Sequence, residues 1–144
     1  MEFEITVVGT GNWGTTLAIA LARGGKKVAL LARNPAEAAT LRAAGENTRF
    51  LPGHAFPAAL ELLADQERAT RTQVLLLVTP SRTIRRNAEQ LAPFIAADTI
   101  VLSCAKGIEA GSLLTMSEVV RSALPAVNPG SIGALSGPNI ASEI

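Results

Sequence analysis

Apolar and polar positions along the chain alternate between strand-like runs and helical spacing. Phe3 to Val8 is a short β-rich run ending on glycine. Lys27 to Ala32, Gln73 to Val78 and Thr99 to Ser103 are further apolar runs of strand length. Such near-uniform runs suit strands covered on both faces. Between them the spacing turns helical: Thr15 to Arg23 puts Leu17, Ala18, Leu21 and Ala22 on one stripe, and Gly24-Gly25 stops it. Asn34 is placed to cap a second helix that begins at Pro35 and runs to about Ala44. Ser81 is placed to cap a third, reaching about Leu91, and Ser112 to Leu124 reads as a fourth, stopped by Pro125. Gly45 to Pro57 reads as a loop with a turn at Pro52-Gly53. Ala59 to Ala64 reads as a short strand, Asp65 to Ala69 as a helical turn and Ser131 to Leu135 as a last strand. Pro138 opens another helix, inside which the chain stops.

Strands alternating with helices predict parallel βαβ units in a doubly wound α/β sheet, a three-layer αβα arrangement. The 144 residues fit one domain, spanning 1–144. A chain that stops just as a helix opens is expected to be part of a longer protein.

Composition adds exclusions. Aromatics make up 3% of the chain, so the core is built from Ala, Leu, Val and Ile. A net charge of +1 offers no strong attraction to nucleic acid or a membrane surface. The apolar runs are too short to span a bilayer and the start shows no leader pattern, so no membrane insertion and a cytoplasmic location are expected. The single cysteine, Cys104, lies in an apolar run and reads as a small buried hydrophobe. The single histidine, His54, reads as a surface residue; no metal site and no Ser/His/Asp arrangement is expected. Arg82, Arg85 and Arg86 read as the solvated face of a helix.

The strongest chemical signal is Gly9-Thr10-Gly11-Asn12-Trp13-Gly14, which follows a strand and opens a helix. In that setting G-x-G-x-x-G is the phosphate turn of a Rossmann dinucleotide-binding unit. Gly9 permits the tight turn, Gly11 lets the backbone approach a pyrophosphate and Gly14 lets helix and strand pack closely. The helix N-terminus then stabilises the phosphate charge. Where NAD-selective versions carry an acidic residue at the end of the second strand, this chain has Arg33 and then Asn34, with no carboxylate until Glu37 in the next helix. Arg33 is suited to a 2′-phosphate, which favours NADP(H) or tolerance of both NAD and NADP. Lys106 follows the strand Thr99 to Ser103, at the sheet end where ligands gather. There it is suited to a phosphate or a developing alkoxide. Ser136-Gly137-Pro138-Asn139 follows another strand and offers backbone N–H groups to an anion. Pro80-Ser81 sits at a third strand end, either shaping a pocket wall or starting a helix.

With the segments Asn47 to Gly53, Val78 to Ser81, Lys106 to Glu109 and Leu135 to Glu143, in that order after the glycine turn, the whole chain resembles the NAD(P)-dependent glycerol-3-phosphate dehydrogenases of the bacterial type. The resemblance implies reversible reduction of dihydroxyacetone phosphate to sn-glycerol 3-phosphate, a precursor of membrane lipids. It implies that Asn12 and Trp13 line the cofactor turn through their backbone and that Arg33 meets the adenosine end. Lys106 would lie near cofactor and substrate, Gly137 and Asn139 near substrate, and Ala141 near cofactor. It further implies that the general acid/base lysine belongs to a helical domain after Ile144, so no catalytic residue is assigned here, and that a homodimer is possible at full length. Asn34 stands where some relatives carry a second basic residue. Two other readings share the glycine turn: a hydroxyacid or ketopantoate-type dehydrogenase, and a nucleotide-sensing module without chemistry.

Overall fold

The computed structural model describes residues 1–137. Its strands are β1 (Phe3–Val8), β2 (Val28–Leu31), β3 (Glu46–Asn47), β4 (Leu51–Ala55), β5 (Leu60–Leu63), β6 (Thr72–Leu77), β7 (Ile100–Ser103) and β8 (Ile132–Ala134). Its α-helices are α1 (Asn12–Arg23), α2 (Pro35–Ala44), α3 (Gln66–Ala69), α4 (Ile84–Leu91) and α5 (Met116–Ala123). Six strands form one parallel sheet in the order β5-β2-β1-β6-β7-β8. The chain winds outward from β1 through β2, then crosses back to β6 and winds the other way. The switch point therefore falls between β1 and β6, whose register pairs Val8 with Leu77.

Strand alternation splits the core in two. In β2, Val28 and Leu30 face one layer with α1 and Leu41 of α2, while Ala29 and Leu31 face the other. That second layer holds Ile84, Ala88 and Leu91 of α4 and Val119, Val120 and Ala123 of α5. In β6, Leu75 and Leu77 go to the second layer and Leu76 to the first. The sheet is thus covered on both faces, as the unbroken apolar runs require.

Several boundaries differ from the sequence reading. Helix α1 begins at Asn12, inside the glycine motif, rather than at Thr15. The segment read as a loop from Gly45 contains the antiparallel hairpin β3–β4, which packs beside α1. Its polar composition and central Pro52-Gly53 hid the pairing: β4 is largely solvent-facing and carries no alternating apolar signal. Ser81 does not cap α4; it opens a short 3₁₀ turn after Pro80, and α4 follows from Ile84. Helix α5 starts at Met116 rather than Ser112 because Thr115 and Glu118 form a reciprocal capping box. Upstream of it, Leu113 takes a positive φ of 60° and Ser112 turns its hydroxyl to Glu109. The expected cap of α2 is present, Asn34 accepting the Glu37 N–H at 2.9 Å, and the helical turn read from Asp65 is α3, with Asp65 as its cap. The helix expected at Pro138 lies outside the described residues.

Candidate functional site

All six strands run the same way, so the loops after β1, β2, β6, β7 and β8 meet along one edge of the sheet. The turn after β1 is set by its glycines. Gly9 has φ +116°, and a Cβ there would stand 2.4 Å from the Val78 carbonyl oxygen on β6's exit. A Cβ on Gly14 would stand 2.1 Å from the Gly9 carbonyl oxygen. Both glycines are therefore demanded by packing. Gly11 differs: its φ is −69°, and a Cβ there would meet nothing within 4 Å among the described residues. Packing places no demand on it, and the open space beside it is where a ligand can reach the backbone. Gly11 caps α1 with no side-chain hydrogen bond and no acidic residue in the first turn, so the positive helix end is left for an anion.

Asn47 fixes this turn from outside. It is buried, and its Nδ2 donates to the Thr10 carbonyl and to Thr15 Oγ1, each at 2.8 Å. Its Oδ1 accepts the Phe50 N–H at 3.3 Å, which folds the hairpin tip toward the cleft. Trp13 is half-buried against the α1 layer, a packing role, and Asn12 is exposed beside it.

A cleft of about 660 Å³ opens over the switch point. Its walls include Gly9, Thr10 and Gly11 from the first turn and Arg33 from β2's end. Arg49 and Phe50 come from the hairpin, and Thr79, Pro80, Arg82 and Arg86 from the β6 exit and α4. The volume is that of a cofactor pocket. Among the described residues, four arginines and no carboxylate line it, which suits a polyanion. Thr79 Oγ1 is buried there without a hydrogen-bond partner among the described residues. The cleft, the open face of Gly11 and the uncapped helix end together fit a dinucleotide.

The arginine cluster of the 3₁₀ turn and α4 is divided in its roles, contrary to its reading as one solvated face. Arg82 and Arg86 face the cleft. Arg85 instead holds the Glu109 carboxylate with two hydrogen bonds, at 2.8 and 2.7 Å, and reaches Ser122 on α5 at 3.0 Å. The Arg85 guanidinium, with Ser112 Oγ, holds the Glu109 carboxyl at about 2, well below the usual carboxylate range. This network anchors the loop after β7. In that loop Lys106 is exposed and its Nζ donates to the Gly137 carbonyl at 2.5 Å. A Cβ on Gly107 would lie 3.6 Å from Ser81, so the β7 loop abuts the β6 exit at the cleft's rim. The structure thereby brings Lys106 and Gly137 together; Asn139 and Ala141 lie outside the described residues.

Arg33 is not free at the end of β2. Its Nη2 donates to Glu37 Oε1 at 2.8 Å. The same oxygen accepts the Thr10 hydroxyl at 3.0 Å, and Oε2 accepts the Arg33 backbone N–H at 2.7 Å. Partial burial pushes the Glu37 carboxyl up, but these hydrogen bonds outweigh it and leave it below its ordinary value. Sequence order had placed Glu37 inside a helix and out of reach. The first turn of α2, folded back by the Asn34 cap, returns it to the strand end. Spacing to the cap was the available signal, since a Glu three residues after an N-cap points back over the turn.

Cys104 is buried, and burial pushes its thiol up to about 11. His54 is exposed on β4. Among the described residues no group of His, Cys, Asp and Glu could hold a metal ion. Among them, too, no helix is long and apolar enough to cross a membrane.

Residues 4–144 match the family model described as the NAD-dependent glycerol-3-phosphate dehydrogenase N-terminus. Glycerol-3-phosphate dehydrogenase [NAD(P)+] of Azorhizobium caulinodans is 44% identical over 141 residues, covering 98% of this chain and 42% of the relative. The enzyme of the same name from Chlorobium luteolum is 41% identical, covering 98% of this chain and 43% of the relative. The chain thus spans less than half the length of these relatives. Among solved structures, glycerol-3-phosphate dehydrogenase from Coxiella burnetii superposes with a TM-score of 0.85 at 32% identity, covering 99% of this chain and 43% of that one. A ketopantoate reductase from Ralstonia eutropha shares the fold alone, with a TM-score of 0.64 at 22% identity, over 83% of this chain and 37% of that one.

Proposed function

This chain belongs to the NAD-dependent glycerol-3-phosphate dehydrogenase N-terminal family, and on that footing we propose that it is the cofactor half of an enzyme that reversibly reduces dihydroxyacetone phosphate to sn-glycerol 3-phosphate. The observation that carries the site reading is Gly11, whose open face beside an uncapped helix end has no packing explanation.

Each wall of the cleft has a task in this proposal. The turn from Gly9 to Gly14 holds the pyrophosphate through the N–H groups of Gly11, Asn12 and Trp13 and the dipole of α1. Arg33 serves the adenosine end. When bound, the nicotinamide supplies or takes up the hydride. Lys106 offers its ammonium to the substrate's phosphate or to the alkoxide that develops on its carbonyl oxygen, worth the most in a water-poor cleft. Its contact with Gly137 ties the β7 and β8 loops together and orients it. Gly137 and Asn139 would meet substrate and Ala141 the cofactor. The general acid/base lysine is expected after Ile144, so this chain alone binds nucleotide and turns over little substrate. The proposal places the enzyme in the cytoplasm, where a phosphorylated substrate and the nicotinamide cofactors are at hand.

The test is NADH and NADPH oxidation by the full-length protein with dihydroxyacetone phosphate, ketopantoate and simple 2-oxoacids. Turnover should be confined to dihydroxyacetone phosphate. Lys106→Met should lower kcat/KM by at least about 100-fold, the loss typical of one transition-state donor. Turnover of ketopantoate or a 2-oxoacid in its place would overturn the substrate assignment.

A further inference from the structure

Glu37 stands at the adenosine end of the cleft but does not line the cleft itself. It stands directly behind two wall residues, Thr10 and Arg33, and bonds both. Its side chain is only 18% exposed whereas that of Arg33 is 68% exposed. The carboxylate is therefore the fixed member of the pair and the guanidinium the mobile one. Three hydrogen bonds fix the carboxylate, from Arg33 Nη2, the Arg33 backbone and the Thr10 hydroxyl. Its ionised form is held by the same bonds. Any group that recruits Arg33 must compete with this partner, and any anion near Arg33 also meets the field of the carboxylate.

We propose that Glu37 sets the balance between NAD(H) and NADP(H) by holding Arg33 in a neutral pair, so that a 2′-phosphate gains Arg33 only by drawing it away from Glu37. The inference rests on the cleft being the nucleotide site. It turns Arg33 from a plain determinant of NADP into one arm of a balance. A ribose without the 2′-phosphate leaves the pair intact and pays nothing for it. A 2′-phosphate meets a cation already half neutralised and a carboxylate close behind. The wild-type chain should accordingly accept both cofactors, with no large preference for NADPH. Glu37 acts here through Arg33 and is a positioning residue.

The experiment is a fluorescence titration of the chain with NADH and NADPH, reading energy transfer from Trp13, the single tryptophan. Four proteins are compared: wild type, Glu37→Gln, Arg33→Ala and the double variant, each checked for folding by its melting temperature. Gln keeps one oxygen, which in the place of Oε1 still accepts from Arg33 Nη2 and the Thr10 hydroxyl; it removes the charge and gives up the acceptor for the Arg33 backbone N–H. Glu37→Gln should tighten NADPH roughly ten-fold, the scale of freeing one charge-paired guanidinium to hydrogen-bond the phosphate. NADH should change less than about two-fold, and the NADPH gain should shrink with salt. In the Arg33→Ala background the same substitution should yield a much smaller gain, since the residues are coupled. An unchanged NADPH-to-NADH ratio in a folded Glu37→Gln overturns the inference. So does an equal gain with and without Arg33, which would mean that Glu37 repels the phosphate directly. Failure of the folded wild type to bind either nucleotide overturns the site reading instead, and this inference falls with it.

Discussion

Gly14 and Gly11 lie three residues apart in one motif, yet the structure assigns them opposite sensitivities to the same methyl group. A Cβ on Gly14 would sit 2.1 Å from the Gly9 carbonyl oxygen, more than an ångström inside van der Waals contact. That oxygen is backbone and cannot rotate away, so the start of α1 must lift from the turn. Overpacking of this kind costs about 3 kcal/mol, the upper end of its usual range. The better helix propensity of alanine returns at most about 1 kcal/mol. Gly14→Ala should therefore destabilise by about 2 kcal/mol, a drop in Tm of roughly 6–10 °C for a domain of this size. At Gly11 the φ of −69° is ordinary for alanine and the methyl meets nothing within 4 Å. Gly11→Ala should stay within about 0.5 kcal/mol of wild type. Its methyl nevertheless projects where the pyrophosphate must approach, so NADH affinity should fall by roughly ten-fold or more. Thermal unfolding by circular dichroism and nucleotide titration, run on both variants, separate the two effects. A Gly14→Ala protein as stable as wild type would refute the close contact. A Gly11→Ala protein that binds NADH normally would refute the phosphate role of the turn.

Two further outcomes follow from ionisable groups. The Glu109 carboxyl is held at about 2 by Arg85 and Ser112, below its unfolded value, so its contribution to stability is full above about pH 4.5 and lost as pH falls toward 2. The Tm of wild type should exceed that of Glu109→Gln at pH 7, and the gap should narrow steadily as pH is lowered from 4.5 toward 2; a gap that is constant with pH would refute the pairing. Cys104, pushed up to about 11 by burial, should react with a disulfide reagent at pH 8 far more slowly in the native protein than in urea. Equal rates would show the thiol to be accessible.

The sheet was legible in the sequence because its strands are near-continuous apolar runs and its glycine turn has a fixed chemistry. Gln73 to Val78 and Phe3 to Val8 needed nothing beyond their own composition. The hairpin β3–β4 was hidden because its order comes from outside: the side chain of Asn47, a polar residue in a polar stretch, is buried by reaching the Thr10 carbonyl. The start of α5 was misplaced because Ser112 and Thr115 both look like caps; the Thr115–Glu118 capping box decides for Thr115, while the Ser112 hydroxyl is taken by Glu109, which Arg85 holds from α4. In the site, Gly9, Gly11 and Gly14 could be assigned roles from spacing alone. Glu37 could not, because its part depends on a helix turn folding back to β2. Arg82 and Arg86 were separable from Arg85 only once α4 had a direction relative to the cleft.

The glycine turn is held on every side: by the Gly9–Gly14 contact, by the Gly9 N–H on the Leu31 carbonyl at 3.3 Å and by the Asn47 amide. A flexible phosphate loop surrenders about 1–2 kcal/mol of backbone entropy for each residue it orders on binding. Here that ordering is completed when the domain folds, so the receptor is rigid before its ligand arrives. Nucleotide can then associate without waiting for a rare conformation and depart without disturbing the sheet. Pre-organisation of this kind would suit the proposed enzyme, which exchanges spent cofactor for fresh at every cycle.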